Sequence, residues 1–261
     1  MPRVAIGIEY LGTDFCGWQR QNHAASIQAA VELAASRVAD ESVTVVAAGR
    51  TDAGVHATGQ VGHFDSAAQR TLRSWLRGLN SNLPAQISIS WVHLVTESFH
   101  ARYAALARTY HYLIFNRTER SALYHNRAWW VHSELDLPAM QAAARILVGE
   151  HDFSAFRAAQ CQAGSPVRVI HALTLRRCGP FIVVKCRANA FLHHMVRNIV
   201  GSLVRIGRRE ASPDWLRHVM ESRDRREGGV TAEAAGLYLT RVRYPEAHGI
   251  PQPAQFRYGD P

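Results

Sequence analysis

Residues 170–187 read IHALTLRRCGPFIVVKCR, two apolar-rich runs split by Cys178-Gly179-Pro180. Glycine and proline side by side between β-forming runs signal a tight reversal. The segment therefore predicts a hairpin of strands 170–177 and 181–187. A hairpin makes its strands antiparallel, because parallel neighbours need a crossover of roughly a dozen residues or more.

The elements on either side mix helix with strand. After the hairpin, Leu192, Met195, Val196, Ile199, Val200 and Leu203 fall on one stripe and predict a helix over about 191–206. Arg197 lies at the edge of that stripe, where a side chain can reach into a cleft. Ser212-Pro213 opens a further helix, and Gly236-Leu237-Tyr238-Leu239 leads the last strand. The Pro/Gly-rich tail after Pro245 is expected to be ordered only by docking, if at all. Upstream of the hairpin, Asp136-Leu137-Pro138 starts a helix through Leu147, with Gly149 as its stop. Tyr110, Tyr112 and Ile114 form one face of a strand, and His111, Leu113 and Phe115 the other.

The first hundred residues repeat the mixture. Val4, Ile6, Ile8 and Tyr10 alternate as a strand, and Ser26 caps a helix carrying Ile27, Val31, Ala34 and Val38. Val43 to Ala47 is a short β-branched strand. Residues 60–64 look extended, a helix around Leu72, Trp75, Leu76 and Leu79 stops at Leu83-Pro84, and Ile87, Ile89 and Trp91 alternate again. Strict βαβ alternation is missing, so the prediction is an α+β fold: two mixed, largely antiparallel sheet-plus-helix halves, 1–104 and 105–261. No repeat is visible at the residue level.

Composition narrows the function. Among 261 residues, 47% hydrophobic and 20% charged is ordinary for a soluble globular chain. Neither a signal peptide nor an apolar run of about 20 residues is present, so no membrane role and a cytoplasmic location are expected. The net charge of +9 favours a polyanionic partner, since clustered cations release counterions from phosphates. Cys16, Cys161, Cys178 and Cys186 contain no CxxC pair and read as free thiols. The histidines form no HExxH or HxH cluster. His193 and His194 would point about 100° apart on a helix, a poor arrangement for joint ligation. No bound metal is expected.

Chemistry concentrates in residues 49–57, Gly49-Arg50-Thr51-Asp52-Ala53-Gly54-Val55-His56-Ala57. A carboxylate follows a short strand inside a loop bounded by glycines, which allow close approach of the backbone to a ligand. Ala53 and Ala57 leave room for a flat substrate. Taken alone, such a segment is more often a turn with a solvated Asp–Arg pair.

The rest of the chain changes that reading. In order come Gly17-Trp18-Gln19 with Gln21, residues 49–57 with Gln60, Leu79-Asn80 with Leu83-Pro84, and Phe99-His100-Ala101-Arg102. Then follow Arg108, Tyr110 and Tyr112 at alternate positions, and Gly149 with His151-Asp152-Phe153 and Phe156. The series closes with residues 188–192, residues 195–201 and Gly236-Leu237-Tyr238-Leu239. Together these resemble the TruA-type tRNA pseudouridine synthases over residues 4–244. Leu11 departs from the family's usual acidic or amide residue before the glycine, a peripheral difference.

The resemblance implies the pseudouridine synthase fold with a central basic cleft, a homodimer, and isomerisation of uridine at positions 38, 39 and/or 40 of the tRNA anticodon stem-loop. It implies that Asp52 is the nucleophile, Arg197 its ion-pair partner, and Tyr110 the ring stacked on the target uracil and a candidate for removing its C5 proton. It places Arg50 at a backbone or RNA contact and Leu237 in the base pocket. The reaction loses no atom and changes no oxidation state, so it calls for no cofactor. A cation beside a carboxylate favours its ionised form, and an aromatic platform offsets unstacking of the base.

Other readings stand beside these. Tyr110 would serve equally as core, since Tyr112 shares its face. Trp18 and Gln19 would serve either packing or an RNA contact. His56 and His63 are assigned to backbone hydrogen bonds, and His193 and His194 to structure or RNA rather than catalysis. A non-catalytic RNA binder would have no need of Asp52, and a metal-dependent hydrolase on Asp52, His56 and His63 lacks ligand spacing.

Overall fold

The computed structural model describes residues 1–252. In chain order its longer elements are β1 (Arg3–Tyr10), α1 (Ile27–Ala39), β2 (Val46–Ala47), β3 (His56–Asp65), α2 (Leu72–Asn82) and β4 (Ile87–Val95). There follow β5 (Ala107–Asn116), β6 (Trp129–Val131), α3 (Leu137–Ile146), β7 (Gly149–Asp152), β8 (Val167–Cys178) and β9 (Phe181–Ala188). Helices α4 (Met195–Gly207) and α5 (Pro213–Ser222) and strand β10 (Leu237–Arg243) complete the chain. The fold is α+β, as the hairpin predicts.

By contacts the described residues form two compact units, one of residues 1–108 with 238–252, the other Thr109–Leu237. In the first, β1 lies antiparallel between β3 and β4. The other edge of β3 is shared. Strand β2 pairs antiparallel near its end, Val46 opposite His63, and β10 pairs parallel at its start, Tyr238 opposite His56. Helix α2 packs on β4 and α1, and Trp75 meets Phe64 edge to face with ring centroids 5.1 Å apart. The helices start where their capping residues say. Ser26 Oγ accepts the Ala29 N–H at 3.3 Å, and Thr71 Oγ1 accepts the Ser74 N–H at 3.1 Å.

In the second unit β5, β9, β8 and β7 follow one another across the sheet, with β6 parallel to the end of β5. The β8–β9 hairpin runs from Ile170 opposite Ala188 to Cys178 opposite Phe181, longer than predicted at both ends. Gly179 takes φ +54°, in the left-handed region that glycine occupies without strain. Helix α3 packs on α4, α5 and β8.

Four expectations change. The strand predicted over 43–47 is regular only at Val46–Ala47, although Val43 and Val45 are buried. Gly149 does not simply stop α3, which is capped at Leu147; with φ +113° it begins β7. Helix α4 starts at Met195 rather than 191, because His194 adopts φ 61° and Leu192 O takes the Met195 N–H in a turn. His193 and His194 therefore lie ahead of the helix with ring centroids 4.1 Å apart, and the helical argument for their separation fails. The chain just after Pro245 is ordered by packing within its own unit. His248 meets the Phe99 ring at 5.3 Å and Ile250 is buried. Residues 253–261 of that tail lie outside the described residues.

Close approach sets the path of the chain beside α4. A Cβ on Gly201 would stand 1.7 Å from the Val230 carbonyl oxygen. Overpacking of this kind costs about 3 kcal/mol when the obstacle is backbone. Gly201→Ala should lower the free energy of unfolding in urea by that order, and with it the midpoint, whereas Gly164→Ala, which meets open space, should leave both unchanged. Equal midpoints for the two variants would contradict the packing described.

Candidate active site

Residues 48–55 join β2 to β3 and carry Asp52. Their backbone is fixed almost residue by residue. Ala48 donates to Val61 O at 2.8 Å, and its own carbonyl accepts Arg108 Nη2 at 3.0 Å. Gly49 O accepts Gln60 Nε2 at 2.7 Å from the buried Gln60. Thr51 O accepts the Trp18 N–H at 3.0 Å, and Thr51 Oγ1 meets the Tyr10 hydroxyl at 2.8 Å. Asp52 O accepts the Val55 N–H at 3.2 Å, and Gly54, at φ +76°, donates to Phe15 O at 3.3 Å.

This clamp explains residues that the sequence left ambiguous. Gly17 has φ +85°, and a Cβ there would lie 2.6 Å from Thr51 O, so glycine alone lets the 15–18 segment reach the loop. Trp18 is buried beneath it and is a packing residue; Gln19 is exposed. Tyr10, read from sequence only as part of a strand, is the missed member. Burial pushes its hydroxyl up to about 12 despite the Thr51 bond, so it stays protonated and holds its partner over any working pH. Asp52 ends half-buried, with Arg50 and Ala53 exposed beside it.

The two histidines of β3 have the structural roles expected of them. His56 Nδ1 accepts the Gly12 N–H at 2.9 Å, and its ring packs on Tyr238 at 4.7 Å. His63 Nδ1 accepts the Ala101 N–H at 3.1 Å. Seven positions apart on one strand, at about 3.3 Å per residue, they are roughly 20 Å apart. The pair cannot share one metal ion.

Tyr110 and Arg197 belong to the second unit. Tyr110, on β5, is buried and meets the Phe191 ring edge to face at 5.0 Å. Tyr112, two residues on, is a core residue whose hydroxyl donates to Glu233 O at 2.7 Å; burial holds that hydroxyl far above its ordinary pKa. Gly236 presses against it, since a Cβ there would be 2.6 Å from the Tyr112 ring. Leu237 follows, buried at the first position of β10.

Arg197 occupies the first turn of α4 and donates from Nε to Ala232 O at 2.8 Å, while the Ala232 N–H returns a bond to Arg197 O. Its neighbour Asn198, whose role the sequence did not reveal, anchors the same loop. Asn198 Nδ2 donates to Phe156 O at 2.8 Å; its Oδ1 accepts Thr231 Oγ1 at 2.7 Å and Arg225 Nη2 at 3.1 Å. Ser202 Oγ accepts the Gly229 N–H at 3.0 Å. Thus Arg197-Asn198 and Gly201-Ser202 form one device that seats residues 229–232 on the helix. The structure places Arg50 and Asp52 on one loop of the first unit, and Tyr110 and Arg197 on a strand and a helix of the second.

Residues 6–104 and 143–245 match the family model described as tRNA pseudouridine synthase. The chain belongs to that family. It is 52% identical over 253 residues to the tRNA pseudouridine synthase A of Pseudomonas aeruginosa, covering 97% of this chain and 89% of that protein. Its counterpart of the same name in Alcanivorax borkumensis is 50% identical over 96% of this chain and 94% of its own length. In Methylococcus capsulatus the figures are 52%, 98% and 94%.

One buried and one half-buried histidine make stability depend on pH. Burial, with Arg3 and His100 adding to it, lowers His63 to about 4, and burial beside Lys185 and Arg176 lowers His111 to about 4. In the unfolded chain each takes up its proton near pH 6.5. Between those values the unfolded state binds more protons, so stability falls as pH drops from about 6.5 to 4 and is full above that window. Urea unfolding should give a lower midpoint at pH 5 than at pH 7.5, and His63→Gln should narrow the gap. No change in the gap would place the dependence elsewhere.

Proposed function

We propose that this chain isomerises uridine to pseudouridine at positions 38, 39 and/or 40 of the tRNA anticodon stem-loop, with Asp52 as nucleophile and no cofactor. The observation that carries the reading is the clamp on residues 48–55. A loop in which Ala48, Gly49, Thr51, Asp52 and Gly54 each have a hydrogen-bonded backbone group holds one carboxylate in one place. Such preorganisation is what attack on a bound base or sugar requires. Membership of the family and its relatives' names support tRNA as the substrate, and the net charge of +9 suits a polyanion.

The step balances within the substrate. The N1–C1′ bond breaks, the uracil turns, C5–C1′ forms, and the C5 proton leaves as N1 gains one. The Asp52 carboxylate supplies a nucleophile to C6 of the base or to C1′ of the ribose and is released at the end. Tyr110 is proposed to stack on the displaced uracil and to take part in removing the C5 proton. Its ring stands edge to face on Phe191, an aromatic setting that supports that assignment. Arg197 is assigned as the counter-ion of Asp52 on the family motif alone, Leu237 as a wall of the base pocket, and the exposed Arg50 as an RNA contact. A cytoplasmic homodimer is part of the same reading. Among the described residues no helix is long and apolar enough to cross a membrane.

Incubating unmodified transcripts that carry uridine at only one of positions 38, 39 or 40, in EDTA, should yield pseudouridine there and nowhere else in the arm. Modification outside the arm, or loss of activity in EDTA, would contradict the reading. Tyr110→Phe should keep tRNA affinity within several-fold while slowing turnover by roughly tenfold or more. Unchanged turnover would leave Tyr110 as a stacking surface only.

A further inference from the structure

The motif Phe99-His100-Ala101-Arg102 is unused by the chemistry above, and what it builds is a stack of rings that ends in solvent. Phe99 is buried, and His63, also buried, packs edge to face on it at 5.9 Å and on His100 at 4.9 Å. His100 in turn stacks on Tyr103 with centroids 4.3 Å apart and planes 29° from parallel. Tyr103 is 76% exposed, and the Arg102 guanidinium carbon lies 5.7 Å from its centroid.

This end of the stack is held rigidly. His100 Nδ1 accepts the N–H groups of both Arg102 and Tyr103 at 3.2 Å, and His100 O accepts the Ala104 N–H at 2.9 Å. A neutral imidazole suits that double acceptance, and burial with nearby Arg3 lowers the His100 pKa. Arg108 then ties the segment to the reactive loop. Its Nη2 donates to Arg102 O at 2.6 Å and to Ala48 O at 3.0 Å, the latter one residue before Gly49. An isolated surface tyrosine needs no explanation. A tyrosine stacked on a pinned histidine, beside a guanidinium and braced to the Asp52 loop by one arginine, is a preformed aromatic face with a cation at its edge.

We propose that Tyr103 is a stacking platform for an unpaired RNA base, with Arg102 contacting the adjoining phosphate. Single-stranded or splayed bases are bound by stacking on such rings, sequence-tolerantly, and a neighbouring arginine adds backbone affinity. The inference rests on the reading that the chain acts on tRNA. It adds a contact that fixes the substrate relative to Asp52 without touching the reacting base.

The test measures the equilibrium Kd of unmodified tRNA, together with KM and kcat, for Tyr103→Ala, Tyr103→Leu, Tyr103→Phe and Arg102→Ala. Loss of one stacked base weakens binding by about tenfold. Tyr103→Ala and Tyr103→Leu should raise Kd and KM by about that factor with kcat and the salt dependence of Kd unchanged, and Tyr103→Phe should restore both. Arg102→Ala should reduce the slope of log Kd against log salt by about one phosphate contact. A Tyr103→Leu variant that binds like wild type overturns the platform. So does a Tyr103→Ala variant whose weaker binding is accompanied by a change of oligomeric state, since the ring would then serve a second copy of the chain. Wild-type protein that forms no pseudouridine would instead defeat the reading of function, so the two failures are told apart.

Discussion

Everything proposed for this chain depends on one close approach, that of Gly17 to the Thr51 carbonyl. At φ +85° and with no Cβ, Gly17 lets the Trp18 N–H reach Thr51 O, the acceptor immediately before Asp52. Any side chain there would force the two segments apart and release the Asp52 loop from its floor. Tyr10 on β1 and Gln60 on β3 then hold Thr51 and Gly49 from within the sheet. A buried polar network is costly when half satisfied and rigid when complete. Here every bond ends on the backbone or on the threonine beside the carboxylate.

The second unit uses the same strategy with a helix in place of a sheet. Asn198 and Ser202, one turn apart on α4, hold the chain at Thr231 and Gly229, and Gly201 lets that chain lie against the helix. Arg197 is thereby confined between its own helix and Ala232. In both units the side chain assigned to chemistry sits next to residues that only position it. Side chains whose neighbours are locked by packing and hydrogen bonds hold a productive geometry that mobile ones do not.

Local signals in the sequence were reliable where they were chemical. Ser26, Asp136 and Ser212 cap the helices they precede, and Cys178-Gly179-Pro180 turns the hairpin. Three features had no local signal. His194 in the left-handed region delays α4 by four residues, and the apolar periodicity of the stripe does not encode one residue at positive φ. The parallel pairing of β10 with β3 joins residues far apart in the chain, a contact that periodicity does not encode. Strands of two to four residues such as β2, β6 and β7 are too short to show alternation. The candidate site was legible as a succession of motifs, which singled out Asp52, Tyr110 and Arg197. The parts played by Tyr10, Trp18 and Asn198 emerged only from hydrogen bonds, because a tyrosine in an alternating strand looks like any other core residue.

The most direct measurement is single-turnover pseudouridine formation by Asp52→Asn, with enzyme in excess over an unmodified tRNA transcript and binding measured in parallel. The side chain keeps its shape and loses its nucleophilic charge. The expected result is tRNA affinity within several-fold of wild type and a rate lower by roughly a thousandfold or more. A rate within tenfold of wild type, with the tRNA fully bound, would show that the clamped loop holds Asp52 for some purpose other than covalent chemistry.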